Sequence, residues 1–202
     1  MLVFISGGAK CGKSMFAQHI SRFLAERDNG GLVYGATMMP MDDEDRKRIS
    51  RHVEDRSGWG FRTIEEGLSL TKLADQLFGG ETVLFDSLTA YVQNNMFFEG
   101  DYHPEFDASS FKEDLQYLCG KCANLVVVSD YIFSDAIVYE DLTERYRMLL
   151  GKVQCECASA AQLVAECSYS NIKIWKNDSG LDIGRIKEMF YSVNSYLTYG
   201  DI

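Results

Sequence analysis

Residues 7–14, Gly-Gly-Ala-Lys-Cys-Gly-Lys-Ser, restrict this chain's fold more than any other stretch. The apolar run Leu2-Val3-Phe4-Ile5-Ser6 precedes them, and Phe16, Ile20, Phe23 and Leu24 follow at helical spacing. The segment therefore reads as a loop joining a strand to an amphipathic helix. Gly7, Gly12, Lys13 and Ser14 fit G-x-x-x-x-G-K-[ST], in which glycines let the backbone curl until several amide N–H groups face one anion. Gly7, Gly8, Ala9, Lys10, Cys11, Gly12, Lys13 and Ser14 are all candidate nucleotide-binding positions. Lys13 reaches outer phosphates as a point charge, the Ser14 hydroxyl suits Mg²⁺, and the helix start adds its positive dipole end. The expected ligand is a nucleoside triphosphate, GTP or ATP, with magnesium. The competing reading is a chance match in a glycine-rich turn, and the strand–loop–helix context weighs against it.

Charge removes other classes. A net charge of −10 over 202 residues, with no lysine- and arginine-rich stripe, excludes a general nucleic-acid or anionic-membrane binder. The chain enters structure at once, without a basic, apolar leader, and no run reaches spanning length, so a cytoplasmic location is expected. The six cysteines read as reduced thiols. Cys119-Gly120-Lys121-Cys122 and Cys155-Glu156-Cys157 would make a poor zinc set, because the second pair lacks the usual two-residue spacer.

The first helix should run to Arg27 and stop at Asp28-Asn29-Gly30-Gly31, with Leu32–Ala36 as a second strand. His19 lies near the apolar stripe and reads as a packing residue. Asp42-Asp43-Glu44-Asp45 opens a helix through Arg56, on which Arg48, His52 and Arg56 share one face while Ile49 and Val53 form an inward row. Arginines on both sides disfavour His⁺, so His52 is a candidate imidazole nucleophile. A solvated charged face explains the same spacing. Trp59–Ile64 reads as a short strand or arm, and Leu68–Phe78 as a helix. Glu81–Asp86 reads as a strand ending in a carboxylate, so Asp86 either orients Mg²⁺, caps the next helix, or does both. His103, in the aperiodic stretch Glu99–Asp107, reads as exposed. Phe111–Leu118 should be helical, Asn124–Ser129 a buried strand, Glu140–Ala161 a long helix, and Leu163–Cys167 and Asn171–Trp175 two final strands, the second an edge. A last stripe, Ile183, Ile186, Phe190, Val193 and Leu197, starts from Asp182. Strands alternating with helices imply an α/β fold, a mostly parallel sheet covered on both faces.

The phosphate loop after Ser6, the Arg48-Ile49-Ser50-Arg51-His52 element, the run Asp86-Ser87-Leu88-Thr89-Ala90-Tyr91-Val92-Gln93-Asn94, and the landmarks Arg56, Trp59 and Arg62-Thr63-Ile64-Glu65 resemble a known family. It is the bifunctional adenosylcobinamide kinase and adenosylcobinamide-phosphate guanylyltransferase family of cobalamin synthesis. The similarity runs from Leu2 to Lys176. It implies a RecA-like phosphate-loop fold over 1–176, with 177–202 as a helical extension of the same domain, and a homo-oligomer, commonly a trimer. It implies two reactions: a γ-phosphoryl group goes to the aminopropanol hydroxyl of cobinamide, then GTP guanylylates a histidine that hands GMP to cobinamide phosphate. By this resemblance the partners are a small-molecule corrinoid and a nucleotide. Catalytic roles fall to His52, Lys13 and Asp86, phosphate or nucleotide contacts to Arg48, Arg56 and Glu65, and metal ligation to Ser14 and Asp86.

Departures are specific. The family's glycine-rich Asn-Glu-Val-Gly segment here reads Asp130-Tyr131-Ile132-Phe133-Ser134-Asp135-Ala136-Ile137-Val138-Tyr139, leaving less room for backbone approach. Lys10 and Cys11 replace Arg-Ser, Tyr91 replaces tryptophan, and the helix from Ile183 lies beyond the usual end. The alternatives are a nucleotide-binding regulatory protein and a phosphate-loop kinase of another small metabolite.

Overall fold

Successive side chains of the apolar strands go to opposite faces of a sheet, and the chain supplies helices for both. The computed structural model describes residues 1–40, 43, 44, 47, 50, 53, 54 and 56–194, the last two by backbone alone. Its strands are β1 (Leu2–Gly7), β2 (Leu32–Ala36), β3 (Arg62–Glu65), β4 (Thr82–Asp86), β5 (Asn124–Asp130), β6 (Leu163–Ser168) and β7 (Asn171–Asn177). They form a sheet in the order β3-β2-β4-β5-β1-β6-β7, parallel except for β7, which returns antiparallel beside β6. The mostly parallel sheet with an antiparallel edge is the arrangement the sequence implied.

The helices are α1 (Lys13–Asp28), α2 (Leu70–Ala74), α3 (Leu88–Met96), α4 (Ala108–Lys121), α5 (Asp141–Ala160) and α6 (Ile183–Asn194). Asp43, Glu44, Lys47, Ser50, Val53 and Glu54 are also helical. One face of the sheet, with Leu2, Phe4, Val83, Phe85, Leu125 and Val127, packs on residues of α2, α3, α4 and α5. The other, with Val3, Ile5, Leu84, Val126 and Val128, packs on α1 and α6. This period of two in β1, β4 and β5 sandwiches the central strands between helical layers and fixes their register.

Local chemistry sets the element ends. Asn29 (φ 55°) closes α1 in the left-handed region, with its amide and the next reaching back to Glu26 and Ala25. The Asp107 carboxylate and Ser110 form a capping box, so α4 begins three residues before the expected Phe111. In contrast α2 ends at Ala74, short of the expected Phe78, because Glu81 Oε2 accepts the Phe78 amide at 2.7 Å and Gly79 and Gly80 turn the chain with positive φ. The short strand expected at Trp59–Ile64 forms at Arg62–Glu65. Val53 is 53% exposed, against its expected inward position, while Ile49 lies outside the described residues.

Helix α6 packs on the body: Asp182 Oδ1 accepts the Arg185 amide at 3.1 Å, Ile186 is buried, and the Phe190 ring meets Phe16 edge-on at 5.6 Å. His19 is buried against Trp59 and Phe190, as its place on the stripe implied, and burial lowers its pKa. His103 is not the solitary exposed residue expected. Its Nδ1 pairs with Glu105 Oε1 at 3.0 Å, its Nε2 lies 3.2 Å from the Phe98 carbonyl, and both partners raise its pKa.

At the sheet end away from the loop, buried Asn124 donates through Nδ2 to Asp28 Oδ2 (2.8 Å) and Thr82 Oγ1 (3.0 Å), tying α1, β4 and β5 together. Arg27, then Asn124, hold the Asp28 carboxyl down at about 2. That lowered value contributes stability above the unfolded carboxylate range, and the contribution is lost as pH falls toward 2. Asn124→Ala should lower stability by roughly 1–3 kcal/mol in urea unfolding, the cost of stranding buried polar partners. It should also move the acid-unfolding midpoint upward; an unchanged midpoint would contradict the assigned tie.

Candidate phosphate-binding site

The carboxyl ends of β1, β2, β4 and β5 lie side by side: Gly7 is in register with Asp130, and Ala36 with Asp86. Ligands of open parallel sheets bind at this edge. The loop leaving β1 curls through Lys10 (φ 55°) and Gly12 (φ 89°) before α1 starts at Lys13. Two of its glycines are required. Gly12 sits in the left-handed region, and a Cβ on Gly7 would come within 2.4 Å of the Cys167 carbonyl oxygen. Gly8, Ala9 and Lys10 are exposed at the crest, and Ser14 is half-buried.

Lys13 is turned back under this loop. Its Nζ donates to the Gly8 carbonyl at 3.1 Å and pairs with Asp130 Oδ1 at 2.6 Å, with side-chain exposures of 11% and 24%. Asp130 is held in turn. Its amide donates to Thr89 Oγ1 (2.8 Å), and its carbonyl accepts from Gln154 Nε2 (2.9 Å), which also reaches Ser129 Oγ (2.8 Å). The next amide, of Tyr131, donates to the Gly7 carbonyl at 2.8 Å. A lysine with so little exposure needs a counter-ion, and Asp130 supplies it.

Asp86 ends β4, two strands from the loop, with β5 between. Its Oδ2 accepts from the Tyr34 hydroxyl at 3.1 Å, and the Arg56 guanidinium lies over the Tyr34 ring at 3.5 Å from its centroid. Arg56, buried, thus reaches Asp86 through tyrosine instead of facing the loop. Ser87, not Asp86, caps α3: its Oγ accepts the Ala90 amide at 3.3 Å, leaving Asp86 clear of the capping role. Thr37 locks this corner, exchanging bonds with Ser87 at 2.7 and 2.8 Å. Asn94 Nδ2 donates to the carbonyls of Thr37 and Gly67. Glu65 is exposed at the end of β3, whereas neighbouring Glu66 turns inward to accept the amides of Leu68 and Ser69. Arg48 and His52 lie outside the described residues.

A hydroxyl, Ser14, and a carboxylate, Asp86, are hard oxygen donors of the kind Mg²⁺ takes. No group of three His, Cys, Asp or Glu suited to a metal occurs among the described residues. The sequence reading missed Asp130, Tyr34, Thr89 and Gln154. Asp130 carried a usable signal: it ends an apolar run, Leu125–Ser129, just as Asp86 ends Val83–Phe85.

Sheet order, loop and lysine together define a phosphate-loop nucleotide-binding fold of the RecA-like type. Among solved structures, the "ATPase Domain of G40P" resembles the chain with a TM-score of 0.51 at 12% identity, covering 89% of this chain and 78% of that one, which speaks to fold alone. The sequence profile described as "Cobinamide kinase / cobinamide phosphate guanyltransferase" matches residues 3–169, so the chain belongs to that family. The "Bifunctional adenosylcobalamin biosynthesis protein CobU" of Escherichia coli (strain K12) is 30% identical over 175 residues, 81% of this chain and 93% of that protein. Its namesake from Salmonella typhimurium is 28% identical over the same shares. No helix among the described residues is long and apolar enough to cross a membrane.

Triphosphate entering the loop must displace Asp130 from Lys13. Asp130→Asn removes both that competition and a negative charge facing the phosphates. The dissociation constant for Mg-GTP should therefore fall by about tenfold, the scale of one charge-assisted hydrogen bond. Calorimetric titration at fixed salt checks this, and weaker binding would make Asp130 a nucleotide-organising residue. Lys13→Ala should bind at least about a hundredfold more weakly.

Proposed function

We propose that this chain phosphorylates adenosylcobinamide with a nucleoside triphosphate and then transfers GMP from GTP, through guanylylated His52, to adenosylcobinamide phosphate. The observation that carries the first half is buried Lys13 at the phosphate loop, with Asp130 as its counter-ion in the ligand-free chain. The family match over residues 3–169 supports the pairing of the two reactions. It also weighs against a purely regulatory protein or a kinase of an unrelated metabolite.

In the first step the acceptor hydroxyl oxygen attacks the γ-phosphorus as the bridging bond to the β-phosphate breaks. Loop amides and Lys13 hold the charge that develops on the phosphate oxygens. Mg²⁺, held by Ser14 and Asp86, would neutralise and orient the same oxygens when bound. Tyr34 keeps the Asp86 carboxylate aimed, and Arg56 steadies Tyr34. In the second step an imidazole nitrogen of His52 attacks the α-phosphorus of GTP and pyrophosphate leaves. A phosphate oxygen of the corrinoid then attacks that phosphorus as the P–N bond breaks. Arg48 steadies the departing pyrophosphate, Arg56, in a turn, acts on the site through Tyr34, and Glu65 lies at the outer part of the nucleotide. Residues 1–176 form the catalytic domain and 177–202 its helical extension. The active form is a cytoplasmic homo-oligomer, a trimer by family resemblance.

Incubation with adenosylcobinamide, GTP and Mg²⁺, followed by product mass analysis, separates the steps. The parent should yield cobinamide phosphate and then the GDP-linked corrinoid. Lys13→Ala should yield neither, and His52→Ala should stop at cobinamide phosphate. Full conversion by His52→Ala would remove the histidine from the mechanism. Failure of the parent to phosphorylate cobinamide, with nucleotide bound, would remove the corrinoid as substrate.

A further inference from the structure

The phosphate loop carries a thiol that neither transfer step uses. The Cys11 side chain turns beneath the loop to the end of β6, where Gly7 stands in register with Cys167. Gly7 lies against both residues: a Cβ there would come within 2.6 Å of Cys11 Sγ and 2.4 Å of the Cys167 carbonyl oxygen. The two cysteines share the core cluster that includes Phe16, Ala165 and Ile172. The remaining cysteines stand apart, with Cys119, Cys122 and Cys157 packed on the opposite face and Cys155 exposed.

The surroundings divide the pair chemically. The neighbouring Cys167 thiol, the Lys13 backbone amide and the Lys13 charge lower the Cys11 thiol's pKa, against the opposing effect of burial. Its nearness to Cys11, then burial, pushes the Cys167 thiol upward. The loop cysteine, beside Lys13 and the less covered of the two, is thus the attacking sulfur and Cys167 its partner. Cys11 keeps a little exposure under the open crest formed by Gly8, Ala9 and Lys10, whereas Cys167 is fully covered.

We propose that Cys11 and Cys167 are an oxidation site, a thiol pair that a hydroperoxide closes into a disulfide, and that closure disables the phosphate loop. The Cys11 sulfur attacks the terminal peroxide oxygen, the O–O bond breaks, and the sulfur becomes a sulfenic acid. The Cys167 sulfur then attacks the Cys11 sulfur, its proton leaves with the hydroxyl as water, and the S–S bond forms. In total two thiols and one hydrogen peroxide give one disulfide and two waters. A disulfide spans about 2.05 Å, closer than two unbonded sulfurs can pack, so closure draws Cys11 toward β6. Cys11 sits between Lys10 and Gly12, both at positive φ, so the pull reorients the amides that a phosphate requires. This consequence rests on the phosphate-binding reading of the loop, since bound triphosphate covers Cys11 and protects it.

The test treats the full chain with hydrogen peroxide, with and without Mg-GTP, then alkylates, digests and maps disulfide-linked peptides. Binding of a fluorescent GTP analogue is titrated in parallel for the parent, Cys11→Ser and Cys167→Ser. The expected result is a Cys11–Cys167 linkage in the parent that GTP prevents. Analogue affinity should fall by more than about tenfold and return with dithiothreitol. Cys167→Ser should keep its untreated affinity under peroxide, and neither serine variant should form the linkage. Absence of the linkage, or a linkage without loss of affinity, overturns the proposal. So does equal peroxide sensitivity in Cys167→Ser, which would leave Cys11 oxidation acting alone. An untreated parent that does not bind the analogue would fail the phosphate-binding reading, while the peptide map still decides whether the pair closes.

Discussion

Everything at the carboxyl edge of the sheet is arranged around one buried cation. Lys13 has little access to water, and the Gly8 carbonyl alone would not compensate its charge. Asp130 does so, and the chain invests several elements in placing it. Thr89 from α3 takes its amide proton, Gln154 from α5 grips its carbonyl, and the following amide bonds to Gly7. A triphosphate arriving here finds a positive site already built, with a carboxylate standing where phosphate oxygens belong.

The second anchor, Asp86, is reached by a different route. Its strand is separated from the loop by β5, so the two acidic strand ends, Asp86 and Asp130, and the loop follow one another along the carboxyl edge. Arg56 and Tyr34 brace Asp86 from the α1 side of the sheet, and Thr37 with Asn94 fixes the turn that follows it. Sheet order therefore sets the spacing of the candidate site: β5 lies between β4 and β1, so Asp86, Asp130 and the loop stand along one edge.

Much of this was legible in residues alone, because it depends on short-range signals. The strand–loop–helix around Gly7–Ser14 and the period-two runs of β4 and β5 each carry their structure locally. What escaped was decided by distant partners. The early end of α2 depends on Glu81 capturing the Phe78 amide, and Arg56 goes to Tyr34 because a ring from β2 waits there. His103 finds Glu105 and the Phe98 carbonyl through a loop with no periodic signal. Asp130 was visible as the end of an apolar run, yet only the register of β5 against β1 brings it to Lys13.

Two transfer chemistries in one chain is the central claim, and the second turns on a covalent intermediate. The most direct measurement is incubation with Mg²⁺ and GTP labelled at the α-phosphate, with cobinamide phosphate absent and then present, followed by denaturation and peptide mass mapping. The account predicts a GMP-mass adduct on the peptide carrying His52, discharged when cobinamide phosphate is added. A chain that binds GTP yet carries no such adduct, under either condition, would contradict it.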